Sequence, residues 1–428
     1  MRMGVPGTPS SIRCLTMTLV STILLAAAPS PAAPSSDNAN AVCRTRYGRA
    51  CLRLEARPKP WEAKDTDALC AAEGALAEAG VGARWIQVVD NKGCPLVDNP
   101  FLPCPYGEKS GEHDELLKQW VAAIHDEGRP VMSWFAMTAC ESGNRAHPEW
   151  RQRWLGEGGA EVSPALCCIN SGYGDALIEY ATWAIGHFGL DGIWFDGTFW
   201  TPTGGGQPRP LRVSCACDAC KARFLQDTGL RLPQRENWSD PAFRRWVTWR
   251  YRVFGEYLGR LARRIRSDHP EAAVVVNHYH RPGIPWHRAI PLDRYEADII
   301  TGSEAHSPET LDVTMRLCRA YGRPQAEVWR SLARENTPAY NAEPSLQHAL
   351  ICYAAGGFPS FGAPLFERKI APTLALMAPV MRAVHPLVGG PSLPYAALHV
   401  SQQTETFRFG AAEGAPGNLD PYFRSLGA

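Results

Sequence analysis

The sequence lacks any excess of charge: 44 Lys and Arg stand against 43 Asp and Glu. That balance excludes a nucleic-acid binder built on a basic surface, and with no block of like charge it excludes a disordered acidic tail. There is no internal repeat beyond a strand-and-helix rhythm, and no low-complexity stretch apart from residues 29–40. Long apolar runs are missing too, except near the start. Arg2 and Arg13 precede LTMTLVSTILLAAA (15–28), and the small-residue stretch APSPAAPSS follows. This run is short of the ~20 residues that a comfortable membrane span needs, so residues 1–35 read as an export signal and linker. No other segment could span a bilayer. The mature protein is therefore expected outside the cytoplasm, secreted or periplasmic, with no membrane association once the leader is removed. The sequence leaves a homo-oligomer open.

What is present begins with sulfur and rings. Of 14 cysteines, Cys14 falls in the leader, which leaves an odd number in the mature chain. Cys43, Cys51, Cys70, Cys94 and Cys104 lie near its start, where an exported protein carries disulfides, although spacing does not give their connectivity. The 14 Trp, 13 Tyr and 14 Phe are compatible with stacking on sugars, and equally with ordinary core.

Between about 48 and 385 strands and helices alternate. The strands read as ACLRLEA (50–56), ARWIQVV (83–89), PVMSWFAM (130–137), DGIWFDG (191–197), AAVVVNHY (272–279), ADIITGSE (297–304), AEVWRSL (326–332) and GFPSFGA (357–363). Most are continuous apolar runs, the pattern of parallel strands covered on both faces. Helical patterns occupy 64–79, 113–128, 174–189, 241–269, 309–322, 344–357 and 369–384. Asp240 before Pro241 forms an N-cap followed by an N1 proline. Eight such units predict an α/β fold, a (β/α)8 TIM barrel over 42–388, with a short C-terminal β-rich element at 389–428 that reads either as truncated or as reduced to a strand or two.

In such a barrel the reacting groups stand where strands end. Strand four ends in Asp196, strand five in Asn277, His278 and Tyr279, and strand six in Glu304. Two converging carboxylates are the minimum for cleaving a glycosidic bond. Asp196 suits a nucleophile, being short and on a rigid strand, and Glu304 suits an acid/base. Asp298 and Glu327 are rival carboxylates. Trp134, Trp194, Asn277, His278, Tyr279 and Trp329 are the expected substrate-binding residues on a carbohydrate. In the same heptapeptide Asp191 falls at the opposite end of the strand.

The loop after strand four carries CACDAC (215–220). Three thiols this close cannot all pair with one another, because disulfide geometry is demanding. Cys215, Cys217 and Cys220 therefore predict a tetrahedral zinc site with a distant fourth ligand, for which Cys168, Cys167 and Cys140 are candidates and Cys168 is taken. The motif supplies no histidine base and implies no open position, so the zinc is structural and catalysis needs no cofactor. Disulfides to distant cysteines are the alternative.

The order HPEW (147–150), CCIN (167–170), LDGIWFDG (190–197) and C-x-C-x2-C-x3-F (215–224) resembles a family of barrel glycoside hydrolases. These are called hypothetical glycosyl hydrolase 6 and are allied to the α-amylase superfamily and to α-L-fucosidases. The resemblance covers about 60–385. It implies an enzyme acting on an α-linked sugar, with the strand-four Asp of the WFDG type, here Asp196, as nucleophile. Glu304 is chosen by position only. The three-cysteine loop is similar to the zinc site of certain β-galactosidases, but those carry an Asn-Glu pair on strand four that this sequence lacks. PYAALHVSQQTETFRFG (394–410) resembles the start of the trimerisation-type domain that follows the barrel in some relatives. A non-catalytic carbohydrate-binding barrel and a metal-dependent hydrolase using His278, His280 or His306 are the alternatives. The metal-dependent reading lacks an H-x-H pair at the end of strand one.

Overall fold

The computed structural model describes residues 45–56, 66–155, 166–197, 213–234, 237, 239–277, 296–302, 311–312, 315–316, 325–331, 342–363 and 370–387. Eight strands form its centre: β1 Arg53–Ala56, β2 Ala83–Gln87, β3 Val131–Ala136, β4 Gly192–Asp196, β5 Ala273–Asn277, β6 Ile299–Gly302, β7 Gln325–Ser331 and β8 Phe358–Ala363. Each pairs in parallel with its chain neighbour, and β8 pairs with β1, so the sheet returns on itself. The helices with both ends among the described residues are, in chain order, α1 Thr66–Glu78, α2 Lys109–Asp126, α3 Glu141–Ala146, α4 Gly172–Phe188, α5 Asp218–Thr228, α6 Pro241–Asp268, α7 Ala342–Ala354 and α8 Ile370–Val384. The protein is thus a parallel α/β structure, with helices described after β1, β2, β3, β4, β7 and β8. The links 278–295 and 303–324 lie largely outside the described residues, as do residues 1–44 and 388–428.

Most strands read as apolar runs because both faces are covered. Outward residues such as Leu54, Ile86, Phe135, Ile193, Phe195 and Val274 join the helices in one large core. Inward residues Ala83, Trp85, Met132, Trp194, Ala273, Val275 and Ile299 form a separate inner cluster, closed from below by Tyr47 and Ala50. At that lower end Arg53 on β1 reaches Glu327 on β7 at 2.7 Å, with both side chains wholly buried. The Tyr47 hydroxyl and the Trp194 indole N–H also donate to Glu327, at 3.5 and 3.3 Å. A buried charge needs such partners, since leaving one unpaired costs several kcal/mol.

Asp191 is a stitch at the same end. Its Oδ2 accepts the Val131 N–H and faces His125 Nε2, both at 2.8 Å, and Arg46 pairs with Oδ1 at 3.1 Å. Gly192 follows because a Cβ there would stand 2.2 Å from the Ala273 carbonyl oxygen on β5. At the far end Gly197 takes φ +64, and its left-handed turn carries the chain off the strand just past Asp196.

Two sequence expectations are corrected here. The cysteine motif is not all loop: Cys217 stands at the N-cap position of α5, and Cys220 lies in its first turn. Residues 370–387 have the length and composition of a membrane span, contrary to the expectation that no segment beyond the leader could have them. Among these residues, Ile370, Leu374, Met377 and Met381 are buried in the main core.

Candidate functional site

Asp196 ends β4 at the carboxyl end of the sheet, where its side chain is partly exposed. Its Oδ1 accepts the Asn277 side-chain N–H at 3.0 Å and the Gly197 backbone N–H at 2.7 Å. The Trp134 indole N–H points at Oδ2, at 3.4 Å. The register explains the convergence. Asp196 pairs with Ala136 on β3, two residues past Trp134, and Asn277 is the last residue of β5 on the other side. Alternation along each strand turns all three side chains inward. The wall beside Asp196 is also fixed by backbone. The Met137 N–H donates to the Asp196 carbonyl at 2.7 Å, and the Thr138 hydroxyl to that of Gly197 at 3.4 Å.

The other expected residues divide. Trp329 on β7 faces inward, is partly exposed, and seats its indole against Gly362 of β8, where a Cβ would meet it at 2.3 Å. Trp194 is only 3% exposed, packs on Trp85 with ring centroids 4.5 Å apart, and is committed to Glu327. It fills the interior and offers no face at the mouth, which departs from the expected substrate contact. Glu327 and Asp298, the rival carboxylates, are both engaged elsewhere. Glu327 is sealed with Arg53, and Asp298 accepts the Val274 N–H at 2.9 Å and pairs with Arg266 at 3.2 Å. Glu304, His278, Tyr279, His280 and His306 lie outside the described residues.

Cys168, Cys215, Cys217 and Cys220 meet. All four are buried, and their sulfurs lie within 4.8 Å of one another. Four thiolates at ~2.3 Å from one tetrahedral ion would stand ~3.8 Å apart, so the group has the right size for zinc. The sulfurs also sit among N–H donors. Asn170 donates its backbone N–H to Cys168 at 3.4 Å and its side-chain N–H to Cys220 at 3.2 Å. Arg153 N–H points at Cys215 at 3.4 Å, and the backbone of Cys220 donates to Cys217. Hydrogen bonds from Cys168, Cys215 and Cys220 hold the Cys217 thiol far below its ordinary range, while burial pushes Cys168 and Cys220 up. Asn170 escaped the sequence reading, although CCIN places it two residues after Cys168.

The remaining fourth-ligand candidates form a second group. The Cys140 thiol caps α3, accepting the Gly143 N–H at 3.3 Å, and Cys167 points its thiol at the Cys140 carbonyl at 3.6 Å. Cys94, from the segment after β2, accepts the Ser142 N–H at 3.3 Å, and the Ser142 hydroxyl lies 3.6 Å from the Cys140 sulfur. Cys167 and Cys168 are neighbours in sequence with sulfurs in different groups.

No protein-family model matches the sequence, and no curated protein matches it. Similarity to solved structures is found. An α-L-fucosidase isoenzyme 2 from Paenibacillus thiaminolyticus superposes with a TM-score of 0.53 at 16% identity, over 78% of this chain and 49% of that chain. Isoenzyme 1 from the same organism gives 0.45 at 12% identity, over 83% of this chain and 79% of that one. The galactosidase domain of an α-galactosidase-sucrose kinase gives 0.48 at 12% identity, over 81% and 43%. The chain spans about half the length of the first of these. At 16% identity the likeness to isoenzyme 2 is one of fold alone.

Proposed function

We propose that the chain is an exported glycoside hydrolase built on a (β/α)8 barrel, acting on an α-linked sugar of the α-L-fucoside type. The carrying observation is the setting of Asp196. A carboxylate at the carboxyl end of a parallel strand is oriented by side-chain donors from both flanking strands and keeps part of its surface open. In this reading Asp196 is the nucleophile: it attacks the anomeric carbon and forms a glycosyl-enzyme intermediate. Glu304, just past β6, protonates the departing oxygen and then deprotonates the water that releases the sugar. Trp134 and Trp329, both partly exposed and inward-facing, supply apolar ring faces for the sugar. The resemblance of the ordered motifs to fucosidase-allied barrels supports the choice of sugar.

Cys168, Cys215, Cys217 and Cys220 hold a structural zinc in this proposal. Four sulfur donors fill a tetrahedral shell and leave no position for substrate. When bound, the ion supplies a cross-link, and the chain's own residues do the chemistry. The cross-link ties the start of α5 to the segment before α4.

The test is turnover of 4-nitrophenyl glycosides, α-L-fucoside first. Asp196→Asn is expected to lower kcat by roughly 10²- to 10⁴-fold, the scale of losing one reacting group, with partial rescue by azide. Turnover unchanged by the substitution removes Asp196 from the mechanism. Sugar binding without turnover by the wild-type chain would point to a binding protein instead.

A further inference from the structure

The second sulfur group lies outside the proposed metal site and the proposed chemistry. It stands where the segment after β2 meets the segment after β3. These segments touch through backbone: a Cβ on Gly93 would come within 1.9 Å of the Ala139 carbonyl oxygen. Glu141 donates its N–H to the Lys92 carbonyl at 3.3 Å, and the Lys92 ammonium pairs with the Glu141 carboxylate at 2.6 Å. Within this contact both sulfurs converge on one residue. Ser142 donates its backbone N–H to Cys94 Sγ at 3.3 Å, and its hydroxyl lies 3.6 Å from Cys140 Sγ.

We infer that Cys94 and Cys140 form a disulfide that locks these two segments together beside the Asp196 wall. Their sulfurs flank the same residue, Ser142, where Gly93 and Ala139, the residues before each cysteine, are in backbone contact. Cys167, the third member, spends its thiol on the Cys140 carbonyl and not on the Cys140 sulfur, which singles out the pair. The chemistry is thiol–disulfide exchange with a small-molecule disulfide. The Cys94 thiolate attacks one sulfur of the reagent and expels the first thiolate. Cys140 gives up its proton, attacks Cys94 in the mixed disulfide and expels the second. Two protein thiols lose two electrons, the reagent gains them, and the protons end on the two released thiols.

In the folded chain the neighbouring Cys140 side chain, aided by the N–H and hydroxyl of Ser142 and opposed by burial, lowers the Cys94 thiol to about 7. Both sulfurs are buried in the folded chain, so exchange belongs to folding or to local opening of these segments.

The test uses the full chain, reduced, unfolded, and refolded in buffer with glutathione disulfide and zinc. It is then denatured, alkylated without reductant, digested and mapped by mass spectrometry. The expected result is a peptide pair joined through Cys94 and Cys140, two hydrogen atoms lighter than the separate peptides and lost on reduction. Cys167→Ser should keep this pair. Cys140→Ser should abolish it and leave Cys94 alkylated. If Cys140→Ser does not fold, the wild-type map alone decides. Complete alkylation of both Cys94 and Cys140, or a link from Cys140 to Cys167, overturns the inference. The outcome is independent of whether the chain hydrolyses a glycoside.

Discussion

Asn277 donates its side-chain N–H to Oδ1 of Asp196 at 3.0 Å, across from β5 to β4. A hydrogen bond to a carboxylate is worth about 1.5–3 kcal/mol net. Asn277→Ala should therefore lower kcat for an aryl glycoside by about 10- to 100-fold, with a smaller change in KM. The residue orients the carboxylate and leaves the leaving group to others. A change confined to KM would mean that Asn277 only binds sugar.

Metal content gives a second prediction. The full chain purified with zinc should hold about one ion per molecule, the occupancy of one four-sulfur site. Cys217→Ser should lose it and lower Tm, while Cys167→Ser should keep it. Cobalt in place of zinc should give sulfur-to-metal charge-transfer bands that vanish in Cys217→Ser. Equal metal content in the wild type and Cys217→Ser removes the site.

The ion pair at the base of the sheet predicts a non-additive stability pattern. Arg53→Met or Glu327→Gln alone leaves one wholly buried charge without its partner. Either should cost about 3–5 kcal/mol in urea unfolding. Replacing both by apolar residues should cost less than the sum of the two. Additive losses would mean that the two groups act separately.

His348 predicts a pH dependence. Burial pushes its imidazole down to about 4, a bond with the Val328 carbonyl resists that, and the Arg330 charge adds to it. The unfolded imidazole titrates near ~6.5. The folded value is depressed, so the unfolded chain takes up the proton first as pH falls. The His348 contribution to stability is then full above ~6.5 and is lost as pH drops toward about 4. His348→Gln should flatten the fall in stability across that window. An identical pH profile in the variant excludes His348 as its source.

The eight strands were legible because most are continuous apolar runs covered on both faces, and their observed ends fall within three residues of the expected ones. Long helices were legible through period and caps. Asp240, expected as an N-cap, accepts the Ala242 N–H at 2.8 Å. Short α3 and cysteine-bearing α5 were not read as helices. α3 is one and a half turns long, and α5 has at its N-cap position a cysteine, which is not among the usual N-cap residues. Strand-end logic placed Asp196 and Asn277 side by side. It also nominated Trp194, since sequence gives which face a residue is on but not its depth within the sheet. Cys94 gave no motif at all, because its partner is distant in sequence and is brought near only by the meeting of two segments.

Cys167 and Cys168 share one peptide bond, and parity decides their fates. The segment is paired as an extended strand, Cys167 opposite Arg151 and Leu166 opposite Ala139, so successive side chains point to opposite sides. One sulfur therefore joins the group with Cys94 and Cys140, and the next joins the proposed metal site. A one-residue slip of this pairing would carry one of the two cysteines into the other's place and move the second one position further along, so one sulfur group would lose a member although the chain keeps every cysteine.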